Sequence, residues 1–355
     1  MPAAADLPRG LTRTSDDRPG IRRRRRGRGF SYHDEVAGRR VTDPDALRRI
    51  RGLVIPPGYQ SVWICHQPDG HLQATGLDDA GRKQYRYHPD FVAARQRAKF
   101  DRVIAFAAAL PRLRRRVQRH LEQAPFGSRT FACATAARLL DLTLIRAGHG
   151  GSTAGRPTYG LATLRNHHVE LEHEDHTVRL SFRGKSGRIQ EREIESPELC
   201  AALERFRGLR GHRLLQYRGP GGRGWSPLAA ADVNRFLKDA AQPASGGPVV
   251  ATAKDFRTWG ATVYAAAWLA RHHPNAPAPA AAGRVITAAV KETAATLGHR
   301  PATCRNYYLH PAVIRAFKRG RLAEQMNPRP WPGRPGGRTG LNAEERHVLA
   351  LLQRG

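Results

Sequence analysis

Leu297-Gly298-His299-Arg300-Pro301-Ala302-Thr303-Cys304-Arg305-Asn306-Tyr307-Tyr308-Leu309-His310-Pro311 is the stretch of this 355-residue chain that says most about it. It follows a segment, 284–297, in which Ile286, Val290, Thr293 and Leu297 share one helical stripe. Tyr308 lies nine residues after His299 and opens a Tyr-x-His triplet. A tyrosine taken alone is more often a packed core residue than a reactive one. The weight therefore falls on the polar residues upstream and on their order.

Working back toward the N-terminus, helical spacing recurs at 253–270, 230–240 and 197–207. Before these, Val178, Leu180 and Phe182 alternate and run into Gly184-Lys185-Ser186-Gly187, a turn leading to a second strand. A helix through Ala136, Leu139, Leu140 and Thr143 stops near Gly148. Phe100, Val103, Ile104 and Ala107 predict another, with Leu113, Val117 and Leu121 beyond a break at Pro111. Ahead of Pro89 the texture changes. Val62 and Ile64 alternate with Trp63 and Cys65, Gln67-Pro68-Asp69-Gly70 supplies a turn, and Leu72 and Ala74 resume. The expected class is α+β, with a small, mainly β N-terminal domain and a larger, mainly α domain carrying one β-hairpin. The expected bounds are a flexible arm 1–20, a β-rich domain 21–92, a larger helical domain 93–320 and a tail 321–355. That tail is broken by Pro328, Pro330, Pro332 and Pro335, and then holds a short helix with Asn342 as N-cap and Glu345 three residues on. The run Arg22 to Arg26 fits either the end of the arm or the first strand.

Sixty Lys and Arg against 30 acids give a formal charge of +30. Residues 1–29 account for only +6, so +24 is spread over the body. A basic tail alone would suggest a tether, whereas a basic body suggests a polyanion held against a folded surface. Nucleic acid is the leading partner. Cys65, Cys133, Cys200 and Cys304 form no Cys-x-x-Cys pair and read as reduced thiols. No apolar run approaches a membrane span, and the N-terminus lacks a secretory core. The expectation is a cytoplasmic, nucleoid-associated protein without membrane or metal.

The Leu297–Pro311 stretch resembles the active-site signature shared by type IB topoisomerases and tyrosine recombinases. Lys254-Asp255-Phe256-Arg257-Thr258 is similar to the topoisomerase segment, where recombinases more usually carry His at the position of Lys254. Leu144-Ile145-Arg146-Ala147-Gly148, followed by Tyr159-Gly160-Leu161, resembles the first active-site arginine region. Phe182-Arg183-Gly184-Lys185-Ser186-Gly187 resembles the hairpin with the catalytic lysine. Further forward, Ile55-Pro56-Pro57-Gly58-Tyr59 and Gly81-Arg82-Lys83-Gln84-Tyr85-Arg86-Tyr87-His88 resemble the small domain of the poxvirus-type and bacterial enzymes. The resemblance covers roughly residues 22–320, with its blocks in order. The loop His149–Arg156 departs from it, replacing an acidic, tyrosine-containing stretch with glycines.

The resemblance implies a topoisomerase IB that relaxes supercoils without ATP, metal or cofactor, as a monomeric clamp. Tyr308 is the implied nucleophile, forming a 3′-phosphotyrosyl bond. Arg146 and Arg257 present charged forks to the phosphate oxygens, and His299 donates a further hydrogen bond. Lys185 is the implied general acid for the departing 5′-oxygen, with Lys254 a second member of the relay. Arg82, Lys83, Gln84, Tyr85 and Tyr87 are the implied DNA contacts. An ordinary tyrosine, with pKa about 10, needs such a cationic setting to attack near neutrality. A recombinase would put a helical domain in front, where this chain reads as β. A passive nucleoid binder would leave the ordered polar residues unexplained. Gly184-Lys185-Ser186 is no phosphate-binding loop, because Arg179 stands where its first glycine belongs. The crowded His167, His168, His173, Glu174, Asp175 and His176 read as a solvated loop rather than a metal site.

Overall fold

The computed structural model describes residues 7–148, 150, 152–153, 155–222, 224–243, 249–273, 278–322 and 339–354. The chain divides into two compact units, Met1–Asp101 and Arg102–Gly355. The class is the expected one, an antiparallel sheet domain followed by a mainly helical one.

The first unit contains strands β1 (Ile21–Arg26), β2 (Gly29–Asp34) and β3 (Arg39–Arg40), helix α1 (Pro44–Gly52), and strands β4 (Gln60–Ile64), β5 (Leu72–Leu77) and β6 (Lys83–Tyr87). All six strands join one antiparallel sheet in the order β3-β2-β1-β4-β5-β6. Helix α1 starts where Asp43 accepts from the Ala46 N–H at 2.8 Å, with Pro44 in the first turn. Its Ile50 joins Ile21, Val62, Ile64 and Ala74 in one apolar cluster. The residues between these on the pleat, Trp63 and Cys65, form a second cluster with Leu72 and Tyr87. Both faces of the central strands are thus covered.

The cover on the Trp63 side comes from residues expected to be a loose arm. Thr12 bridges to Gly70, Thr14 Oγ1 donates to the Leu72 carbonyl at 3.1 Å, and Trp63 Nε1 donates to the Arg18 carbonyl at 3.0 Å. Asp16 accepts from Thr75 and pairs with Lys83. A tryptophan and a cysteine alternating with Val62 and Ile64 need a lid, and residues 12–20 supply it. Residues 1–6 lie outside the described residues. The arginine run belongs to β1, not to an arm.

Helix α2 (Pro89–Gln123) crosses from the first unit's span into the second. It passes through Pro111 unbroken, where a break was expected. Proline removes one main-chain hydrogen bond, but Leu110 and Leu113 are fully buried on either side and hold the helix in place. The second unit continues with α3 (Arg129–Thr143), a ribbon of β7 (Ser152–Thr153) and β8 (Arg156–Pro157), and strands β9 (Val169–Glu172), β10 (Thr177–Arg183) and β11 (Ile189–Glu195). The last three form an antiparallel sheet in the order β11-β10-β9. Then come α4 (Pro197–Arg207), β12 (Gln216–Arg218), β13 (Trp225–Pro227), α5 (Ala230–Ala241), α6 (Ala253–His272), α7 (Pro279–Leu297), α8 (Pro301–Tyr307), α9 (Pro311–Lys318) and α10 (Ala343–Arg354). The four helices read from spacing at 197–207, 230–240, 253–270 and 284–297 are present as α4 to α7, the last two longer than expected.

Helices α3 and α6 are buried almost all round and form the centre of one continuous core. Alanine-rich faces, such as Ala265 to Ala267 on α6, let neighbouring helices approach closely. The tail's helix α10 packs into this core. Asn342 and Glu345 cap each other's backbone N–H as expected. Glu345 also binds the buried Arg114, whose other side holds Asp141. The prolines 328, 330, 332 and 335 lie outside the described residues, as do His149, Gly151 and Ala154 of the divergent loop.

Candidate active site

Four helix ends of the second unit deliver one side chain each to a common point. After α3, Leu144 takes the left-handed conformation (φ 54°) and turns the chain so that Ile145 stays buried and Arg146 emerges. Arg146 is held by its backbone. Its carbonyl accepts from Leu161 N–H, and Ala147 accepts from Ala162 N–H, both at 2.8 Å. This crossing needs Gly148 and Gly160, because a Cβ on Gly160 would sit 2.6 Å from the Arg146 carbonyl oxygen. Arg257 is on the second turn of α6. It donates to the Leu144 carbonyl and, at 2.8 Å, to the Leu297 carbonyl. Helix α7 ends at Gly298 (φ 64°), and the His299 N–H closes the turn onto Ala294 at 2.7 Å. Tyr308 ends α8, its carbonyl accepting from Thr262 Oγ1 on α6.

The four side chains meet around His299. Arg146 Nη2 is 3.0 Å from Nδ1, and Arg257 Nη2 is 2.7 Å from Nε2. The Tyr308 ring lies against the imidazole with centroids 4.2 Å apart and the planes tilted by 35°, and Arg257 Cζ is 5.8 Å from the Tyr308 ring centre. Arg257 and His299 are only 3 % and 4 % exposed, while Tyr308 is half-buried. Burial, then Arg257, Arg146, Lys185 and Arg188, push the His299 pKa down to about 3, so the ring is neutral near pH 7. Burial and the neighbouring Arg146 push Arg257 down to about 9, while the Tyr308 phenol acts the other way, by its charge and by accepting a hydrogen bond from the guanidinium; Arg257 keeps its charge at neutral pH. Arg146 is lowered by burial and supported by Tyr308.

Lys185 lies on the 3₁₀ turn of the β10–β11 hairpin, exposed and near enough to bear on the charge of His299. Lys254 is exposed in the first turn of α6 and is not seen touching the Arg–His–Tyr cluster. Its neighbour Asp255 is structural, capping α6 at Thr252 and gripping Arg102 at 2.8 Å. Tyr307, the adjacent rival for Tyr308, is 53 % exposed. His310 of the Tyr-x-His triplet caps α9 through Nδ1. Among the described residues no cluster of metal-ligating side chains occurs.

Other residues shape the site without standing out in the sequence. Arg188 donates to the His299 carbonyl at 3.1 Å. Arg192 spans three elements, donating to the carbonyls of Thr143 at 3.1 Å and Thr296 at 2.5 Å and to Gln190 Oε1 at 3.3 Å. It thereby ties β11 to the ends of α3 and α7. The one available signal is alternation: Arg192 stands between Gln190 and Ile194, the buried positions of β11, where an apolar residue would be expected.

In the first unit, the five residues expected on DNA lie on or beside β6, the sheet's edge strand. Tyr85, 49 % exposed, stacks on Tyr87 with the rings nearly parallel. Arg82 and Gln84 are both held by Asp78. Lys83 pairs with Asp16 at 2.5 Å.

Residues 88–327 match the family model described as eukaryotic DNA topoisomerase I, catalytic core. The chain belongs to the type IB DNA topoisomerases. All six candidate catalytic residues fall inside that match. Residues 29–78 match the bacterial DNA topoisomerase IB N-terminal domain, a match that starts behind the arginines of β1 and stops short of β6. A DNA topoisomerase 1B of Acanthamoeba polyphaga mimivirus is 29 % identical over 304 residues, covering 84 % of this chain and 88 % of the viral one. This topoisomerase is therefore an enzyme that relaxes DNA, as its family does.

Proposed function

We propose that Tyr308 cuts one DNA strand by attacking a backbone phosphate, leaving a 3′-phosphotyrosyl bond and a free 5′-hydroxyl. The observation that carries this reading is the convergence of Arg146, Arg257, His299 and Tyr308 from four separate elements onto one half-buried point. As the Tyr308 oxygen bonds to phosphorus, the bond to the 5′-oxygen breaks, and negative charge grows on the non-bridging oxygens. Two guanidiniums, Arg257 buried and fixed by backbone carbonyls and Arg146 partly buried against His299, stabilise that charge with little reorganisation. His299 is neutral, so it contributes one N–H donor and no net charge. Lys185, exposed on its hairpin turn, is placed to protonate the departing oxygen. Lys254, exposed three residues before Arg257 on α6, is at most a second member of that relay.

The phosphotyrosyl bond stores the energy of the cut phosphodiester, so resealing runs through the same groups in reverse and ATP has no step to drive. The charge of +30 and the stacked tyrosines of β6 support duplex DNA as the bound substrate, and we infer a single copy acting in the cytosol with the nucleoid. No helix among the described residues is long and apolar enough to cross a membrane. The test is relaxation of supercoiled plasmid without ATP or magnesium by the wild-type chain and by Tyr308→Phe. The wild type relaxes it and the variant binds without relaxing. Full activity in the variant would remove Tyr308 from the chemistry.

A further inference from the structure

Six arginines lie in or beside the β1–β2 hairpin, and two of them are accounted for. Arg22 pairs with Glu35 at 2.8 Å. Arg23 donates to the carbonyls of Ile55, Pro56, Pro57 and Tyr59 and lies over the Phe30 ring, which fixes the base of the hairpin to the 55–59 loop. Arg24, Arg25, Arg26 and Arg28 are exposed, and among the described residues none of their side chains has a hydrogen bond or ion pair. A fold does not gain by placing four like charges within five residues. Each repels the others, and Glu35, which bears on Arg24, is already paired with Arg22.

The register shows where they stand. Strand β4 pairs with β1 only at Ile21 and Arg22, and β3 pairs with β2 only at His33 and Asp34. The last three rungs of the hairpin, Arg24–Ser31, Arg25–Phe30 and Arg26–Gly29, have no strand on either side. They form a free two-stranded ribbon about 10 Å long, closed by the tight turn Gly27-Arg28 with Gly27 at φ 56°. Along the pleat, Arg24 and Arg26 point to one face and Arg25 to the other, with Arg28 at the tip. A narrow ribbon with arginine on both faces and at its end is of a size that a DNA major groove admits, with phosphates on each wall.

We propose that this arginine ribbon is a DNA-gripping element, entering a groove of the duplex and binding phosphates on both sides. The proposal rests on the DNA-relaxing role above and adds a second contact to the β6 edge. Strands β1 and β6 are separated by β4 and β5, so the two contacts are about 14 Å apart across the sheet. That is about four base pairs of duplex. The ribbon has no part in the chemistry. Its effect is on how firmly, and for how long, the duplex is held.

The test uses the full chain carrying Tyr308→Phe, so that binding is read without cleavage, and a duplex of random sequence over a salt series. Replacing all four arginines by Gln is expected to make the log–log salt slope shallower by about 0.9 for each phosphate that is no longer bound, or about 2 to 3.6 in total. Arg24/Arg26→Gln and Arg25/Arg28→Gln each take part of that effect and keep the test open should the fourfold variant misfold. Lysine at all four positions retains the slope. In the otherwise wild-type chain, single-turnover cleavage at saturating protein stays within about twofold. An unchanged slope in folded variants overturns the ribbon's grip and leaves the enzyme reading intact. No DNA binding by the Tyr308→Phe parent overturns the DNA reading, and the ribbon with it.

Discussion

His299 has one lone pair and one N–H when neutral, yet a guanidinium faces each of its nitrogens. Only one of those contacts can be a hydrogen bond; at the other, two donors meet. In the proposed mechanism a phosphate oxygen would settle the conflict, accepting from the displaced guanidinium and from the imidazole N–H. An unfolded histidine titrates near 6.5, whereas His299 stays neutral in the folded chain down to about 3. Between those values the unfolded chain binds a proton that the folded one does not, so stability rises with pH across that window. Between pH 7 and pH 5 the melting temperature is therefore expected to fall less for His299→Gln than for wild type. The cleavage rate of His299→Gln is lower at every pH, with the shape of its profile from pH 5 to 8 unchanged. A profile whose inflection near pH 6.5 disappears in the variant would show a charged imidazole at work. Lys185→Ala is expected to slow cleavage by roughly two to four orders of magnitude, and a 5′-bridging phosphorothiolate, whose sulfur leaves without a proton, to restore most of it. Failure of that rescue would make Lys185 a phosphate-positioning residue. The cluster was legible because its residue types and spacing resemble a family pattern. Arg188 and Arg192 were not, because a single arginine in a basic chain carries no mark of the carbonyls it will meet.

At the level of elements, α10 is tied to the helices that carry the arginines. Glu345 receives two hydrogen bonds from Arg114 and one from Trp259 Nε1, and Trp259 stands two residues beyond Arg257 on α6. Asp141, the other partner of Arg114, lies five residues before Arg146. Removing one member of a buried ion network leaves the others unpaired. Glu345→Ala is therefore expected to cost about 3–5 kcal/mol, read as a lower denaturation midpoint. It should also lower the cleavage rate at saturating DNA more than it weakens binding. An unchanged midpoint would mean that α10 is not packed as described. Helix positions and the two hairpins could be read from periodicity because each buries a repeating face. The course of α2 through Pro111 and the docking of residues 12–20 could not. Both depend on partners distant in sequence, the first on packing around Leu110 and Leu113, the second on Trp63 needing cover.

For the whole molecule, the excess charge belongs to the body, so salt is the natural variable. DNA affinity should fall linearly on log–log axes, with processive relaxation at low salt and faster turnover between plasmids at moderate salt. Truncation should divide by what each segment covers. Removing residues 1–6 changes little. Removing 1–20 strips the lid from Trp63 and Cys65 and lowers the stability of the first unit, although the charge removed is small. Removing 1–90 deletes the β6 edge and weakens binding far more, while the proposed catalytic residues remain. Intact binding after the longest truncation would place the main DNA contact in the second unit. The most direct test of Tyr308 as nucleophile is to trap the enzyme on a labelled duplex with denaturant and map the adduct by peptide mass spectrometry. The expected product is a 3′-phosphate esterified to Tyr308, present in Tyr307→Phe and absent in Tyr308→Phe. An adduct on any other residue, or relaxation with no covalent adduct, would contradict it.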